Sequence, residues 1–124
     1  MRTQASGMSY VMLTILLTTA GQLLVKWGTV QLQGSSDSSP ALFRYLAGAF
    51  ANPWVVGGLM CALLAGASWV LALSRCAVSF AYPFMALPIV VVLALSPSLF
   101  GEAIPLHRWA GVALVCIGLW IASR

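Results

Sequence analysis

Charge is what this chain has least of. Lys and Arg total six and the acids only two, Asp37 and Glu102, so 6% of its 124 residues are charged, against about 25% in a soluble domain. No ordinary water-facing surface can be assembled from so few, which excludes a soluble enzyme. The six cations form no stripe of the kind that tracks nucleic acid. His107 is the single histidine, and Cys61, Cys76 and Cys116 stand far apart, so no metal-ligand spacing exists and neither a metal nor a cofactor is expected. The cysteines read as small apolar fillers and say nothing of a redox compartment. Serines such as Ser68 and Ser79 have no base partner in view, so the chain is not expected to be an enzyme.

Hydrophobic residues fill the space instead, at 61% of the chain, in spans at about 9–27, 53–73, 77–100 and 107–123. A helix rises about 1.5 Å per residue and a bilayer's hydrocarbon core is about 30 Å thick, so roughly 20 apolar residues cross it. The first three spans reach or approach that length. The fourth has a shorter apolar run, from Trp109 to Ala122, and crosses if His107 and Arg108 snorkel at one end and Ser123 and Arg124 at the other. The expected fold is therefore all-α and integral to a membrane, a single domain over 1–124 with four transmembrane helices in an up-and-down bundle. Both termini then fall on one side. Arg2 followed by an apolar run and Thr-Thr-Ala-Gly also resembles a signal peptide, but the run is long and three more spans follow, so it reads as retained.

A polar loop is expected over 28–40, where Gly-Ser-Ser-Asp-Ser-Ser-Pro supplies a flexible core. After it, Leu42, Phe43, Tyr45, Leu46 and Phe50 around Arg44 suit a short helix lying in the interface between the first two spans. Arg2, Arg75 and Arg124 fall on one side of the bundle and Lys26, Arg44 and Arg108 on the other. Discounting Lys26 as part of the helix end leaves a bias of one charge towards a cytoplasmic N-terminus, which is compatible with either insertion direction and so with a parallel or antiparallel dimer.

Few residues are candidates for chemistry. Pro83, Pro88 and Pro97 each remove a backbone donor from the third span and predict a kink or hinge, although proline is also simply commoner in membrane helices. Gly111, Gly118 and Ala122 share one face of the fourth span, and Gly58, Ala62 and Gly66 one face of the second. Small faces let helices approach closely. The fourth-span face is assigned to a dimer contact and the second-span face to packing within the bundle. Gln22 and Lys26, four apart, share a helix face that is costly towards lipid. Lys26 could hold a lipid phosphate, or could be an interfacial lysine snorkelling beside Trp27. Glu102 could pair with Arg108 or with a substrate amine, or be a solvated loop carboxylate. Tyr82 and Trp69 could line a chamber or simply pack.

The stretch Leu73-Ser-Arg-Cys-Ala-Val-Ser-Phe-Ala-Tyr-Pro-Phe, with Phe100-Gly-Glu-Ala-Ile-Pro and Trp109-Ala-Gly-Val-Ala-Leu-Val-Cys-Ile-Gly, resembles the drug/metabolite transporter superfamily over all four spans. Gly-Gln-Leu, a nearby Lys and Ala-Tyr-Pro are similar to the aminoarabinose-phosphoundecaprenol flippase subunits within the small multidrug resistance-like branch. In small multidrug resistance proteins a glutamate eight residues before the matching lysine exchanges protons for cationic drugs. Here that position is Thr18, which cannot hold and release a proton in the physiological range. The resemblance therefore implies a flippase subunit moving a polyprenyl-phosphate-linked sugar across the bacterial inner membrane, as a homodimer or a heterodimer with a related four-helix chain. Under it, Lys26 is expected on the phosphate, Gln22 and Tyr82 in a polar groove, and Glu102 with Arg108 at a gate or on the head group. The alternatives are a multidrug exporter, which Thr18 disfavours, and an accessory subunit of a glycolipid pathway that transports nothing.

Overall fold

The computed structural model describes residues 2–33, 42–122 and 124, with side chains from Ser6 onward. They form six helices: α1 (Arg2–Gln33), α2 (Leu42–Ala51), α3 (Pro53–Leu73), α4 (Val78–Phe84), α5 (Leu87–Phe100) and α6 (Leu106–Ala122). The apolar helical stretches Ser6–Gln33, Pro53–Leu73 and Val78–Phe100 are each long enough to cross a bilayer, so the chain is a multi-pass membrane protein. The fourth expected span falls short: α6 has 17 residues and rises only about 25 Å.

The polar loop expected from Gly28 does not begin there. Helix α1 continues to Gln33, and from residue 34 the loop lies outside the described residues. No proline interrupts the extra turns, and Thr29 donates its hydroxyl to the Lys26 carbonyl at 2.8 Å, satisfying its polarity within the helix. Lys26, placed by its sequence at a helix end, therefore sits about 10 Å inside one.

The third span is broken. Pro88 has no N–H to give the Phe84 carbonyl, and Pro83 has none for Ser79. Between them the backbone tightens into turns, with Met85 N donating to Tyr82 O at 3.0 Å and Ala86 N to Pro83 O at 3.2 Å. α4 ends there and α5 starts, whereas Pro97 is carried inside α5.

α1 and α3 form an antiparallel pair that carries most of the packing. At one end Gly28 lies against Val55 and Asn52; midway Gly21 meets Gly58; at the other end Gly7 meets Cys76. The midpoint is a backbone contact. A Cβ on Gly58 would stand 2.7 Å from the Gly21 carbonyl oxygen and 2.6 Å from Val25 Cγ2, distances no real side chain adopts. α3 is anchored beside Gly28 by Asn52, whose side chain accepts from Trp54 N at 2.9 Å while Pro53 occupies the first turn. Val11, Ile15, Ala72 and Ala81 make the core near the opposite end, with Tyr10, Trp69, Phe84 and Leu87 around them. Buried hydroxyls are satisfied locally, Thr14 donating to Tyr10 O at 2.9 Å and Thr19 to Ile15 O at 2.8 Å, as a water-free interior requires.

α2 packs beside the ends of α1 and α3 and leaves Leu42, Phe43, Leu46 and Phe50 exposed along one face. That stripe suits a helix lying in the interface. α6 returns along α4 and buries none of its residues.

Candidate functional site

Between α1 and α3 runs a groove of about 620 Å³. It exists because the α3 wall is built from Gly58, Ala62, Ala65 and Gly66, whose small side chains leave space once the Gly21–Gly58 contact has fixed the helix separation. Nothing lies within 4 Å of where a Gly66 Cβ would stand. Of the small face foreseen in the second span, Gly58 packs against α1, while Ala62 and Gly66 line open space.

The α1 wall carries polar side chains on a largely apolar surface. Thr14, Thr18, Gln22 and Lys26 recur every fourth residue on one face, and Thr29 extends it. From Thr14 to Lys26 this ladder climbs about 18 Å, more than half the hydrocarbon thickness. Lys26 is the single ionisable side chain lining the groove among the described residues. Trp69 and Met85, the latter from the α4–α5 break, close the far end.

At the Lys26 end, α5 stops at Gly101, whose backbone is left-handed with φ 65°, a conformation that costs glycine nothing. The turn delivers Glu102 to Lys26. Nζ and Oε1 are 2.7 Å apart, with the two side chains 47% and 43% exposed. Lys26 Nζ also stands 5.8 Å from the centre of the Phe100 ring, which packs on Trp27 at 6.0 Å.

The expected residues are thus partly brought together. Gln22 and Lys26 line the groove and Glu102 closes its end, but Glu102 pairs with Lys26 and not with Arg108. The left-handed turn aims the carboxylate back at α1, whereas Arg108 rides on the exposed first turn of α6. Tyr82 is outside the lining and meets it through Trp69, edge to face at 5.5 Å. Gly111, Gly118 and Ala122 lie exposed on α6, away from the groove. Thr14 and Thr29 were not foreseen as site residues. For Thr14 the signal was available, since polar side chains recur every fourth residue from it to Lys26 through an apolar run, whereas Thr29 falls off that step.

No protein-family profile matches the chain, and no solved structure matches it. Curated proteins do. It is 33% identical over 117 residues, 91% of this chain and 87% of the relative, to the probable 4-amino-4-deoxy-L-arabinose-phosphoundecaprenol flippase subunit ArnF of Sodalis glossinidius. The probable subunit ArnF of Photorhabdus laumondii is 34% identical over 131 residues, covering 95% of this chain and 97% of its own length. The probable subunit ArnE of Aeromonas hydrophila is 32% identical over 111 residues, 87% of this chain and 89% of that protein. Aligned at about a third identity over nearly all of its length, this chain belongs to the family of 4-amino-4-deoxy-L-arabinose-phosphoundecaprenol flippase subunits.

Proposed function

We propose that this protein is a subunit of a flippase that carries a polyprenyl-phosphate-linked sugar from the cytoplasmic to the outer leaflet of a bacterial inner membrane. The observation that carries the reading is a groove along α1 whose one ionisable lining side chain is a cation. Thr18 offers no proton to exchange, so an anionic head group that displaces Glu102 from Lys26 fits better than the cargo of a proton-coupled multidrug exporter.

A phosphate anion cannot enter bare hydrocarbon, because the loss of hydration costs many kcal/mol. Thr18 and Gln22 supply hydrogen-bonding groups about 6 Å apart along the path. At its end the phosphate replaces the Glu102 carboxylate on Lys26, exchanging one ion pair for another. Glu102, released and half-exposed, becomes free to accept an amine, the group carried by the sugar in the relatives' names. Arg108 gathers the anion at the same face, and Tyr82 steadies the Trp69 wall at the far end.

α6 completes the bundle as a fourth crossing of a locally thinned bilayer, with His107 and Arg108 snorkelling at one end and Arg124 at the other. Its Gly111, Gly118 and Ala122 face receives a second subunit. ArnE and ArnF are named as two subunits of one flippase, which favours a related four-helix chain as that partner over a second copy.

The test is transport of a fluorescent polyprenyl-phosphate sugar in proteoliposomes holding the chain with its four-helix partner. Lys26→Ala is expected to reduce leaflet exchange to the rate of protein-free vesicles. An unchanged rate in a folded Lys26→Ala protein overturns the phosphate assignment, and wild-type exchange at background would leave the accessory-subunit reading standing.

A further inference from the structure

A second hollow lies on the other side of α1. Leu23, Leu24 and Trp27 of α1, Trp54 at the start of α3, and Leu99 and Phe100 at the end of α5 line an open crevice of about 250 Å³, with no polar side chain except the two indole N–H groups. At about 100° per residue, Leu23, Leu24 and Trp27 point roughly opposite Thr14, Thr18 and Gln22, and Lys26 falls between the two faces. Phe100 links them physically. Its ring walls the crevice, packs on Trp27 at 6.0 Å and lies 5.8 Å below Lys26 Nζ.

We infer that this crevice is a binding site for the first isoprene units of an anionic prenyl lipid, so that the protein grips the tail next to the phosphate as well as the phosphate itself. The inference rests on the reading of Lys26 as the phosphate site. An anionic lipid bound there must leave its phosphate as hydrocarbon, and the Phe100 ring, 5.8 Å from Lys26 Nζ, leads from the cation into this crevice. The occupant's chemistry follows from the walls. Two indoles and a phenyl ring present broad, rigid, polarisable faces, which match the flat trisubstituted alkenes of an isoprenoid, and three leucines complete an apolar lining for its methyl branches. A straight saturated acyl chain has neither flat faces nor branches to place. Trp27 and Trp54 stand at the same end of the bundle as Asn52 and Glu102, where indoles anchor at a membrane boundary, so the site lies at head-group depth, where a tail first enters hydrocarbon.

The experiment is photolabelling of the full chain, reconstituted with its four-helix partner in phosphatidylethanolamine and phosphatidylglycerol nanodiscs, by a prenyl phosphate bearing a diazirine on its first isoprene unit. Label is expected on residues 23–27, 54 and 99–100. Excess undecaprenyl phosphate should suppress it, while hexadecyl phosphate at the same concentration should do so at least about tenfold less well, a gap of about 1.4 kcal/mol in binding. Leu99→Trp, and separately Leu24→Trp, should fill the crevice and weaken undecaprenyl phosphate binding by a similar factor. Equal competition by the straight-chain phosphate, or label spread over the lipid-facing side of α6, overturns the tail site, as does unaltered affinity in both filled variants. If Lys26→Ala still abolishes prenyl phosphate binding in that case, the tail site alone falls. If the wild-type protein binds no prenyl phosphate at all, the proposed function falls with it.

Discussion

The α1–α3 pair and the lone helix α6 carry the same kind of sequence, apolar and dotted with glycine at helical spacing, and meet opposite fates. On α3, Gly58 touches the backbone of α1 so closely that one added carbon would collide with the Gly21 carbonyl oxygen at 2.7 Å. On α6, nothing approaches within 4 Å of the corresponding points above Gly111 and Gly118. Lipid is as apolar as leucine, so burial alone drives neither contact, and close backbone packing has to be completed by whichever surface fits. One small-residue face has found its partner within the chain. The other stays exposed.

The contrast breaks first at Gly58. Gly58→Ala is expected to cost about 1–3 kcal/mol of stability, the range for forcing a methyl into a packed interior, because the obstructing atom is backbone and cannot rotate away. Thermal unfolding in nanodiscs would register it as a clear fall in Tm. A variant as stable as wild type would mean that α1 and α3 are free to part, and the groove between them would lose its defined width.

Gly118→Leu probes the opposite face and should leave the fold intact, since the site is open and leucine favours helix over glycine. Its effect should appear between subunits. A dimer weakened about tenfold, or about 1.4 kcal/mol, is the expected outcome in single-molecule subunit counting or cross-linking across a dilution series in lipid. An undisturbed dimer would move the interface elsewhere, and a destabilised monomer would show that α6 packs within its own chain.

These two faces also measure what was readable beforehand. Hydrophobic runs located the helices because length against bilayer thickness is a local property, and the prolines at 83 and 88 marked the break because a missing N–H acts on the neighbouring turn. What escaped was non-local. Gly58, Ala62 and Gly66 share one stripe, yet Gly58 lies in backbone contact with α1 while nothing stands within 4 Å of a Gly66 Cβ, because residues four apart drift about 40° per step around a helix and the stripe turns from the α1 contact into the groove. The pairing of Glu102 with Lys26 rather than with Arg108 depends on a single left-handed turn at Gly101 and on α1 running past Trp27, neither of which any local pattern reports. The Thr14 to Lys26 ladder was legible and needed only its full period to be counted.

The Lys26–Glu102 pair is a third kind of contact, tertiary like the Gly21–Gly58 crossing yet exposed like α6, and it should yield the smallest effect on stability. With its side chains 47% and 43% exposed, the pair is screened, and Glu102→Gln is expected to change unfolding stability by less than about 1 kcal/mol despite the 2.7 Å separation. Whatever loss occurs should shrink further when salt is raised, as it does for solvent-reachable charges. A loss of several kcal/mol, insensitive to salt, would instead describe a pair sealed in low dielectric, where breaking it strands a charge. The distinction bears directly on transport. A sealed pair would resist exchange for a phosphate, whereas a half-open one would trade its carboxylate for an incoming anion at little cost, as the proposed phosphate exchange on Lys26 requires.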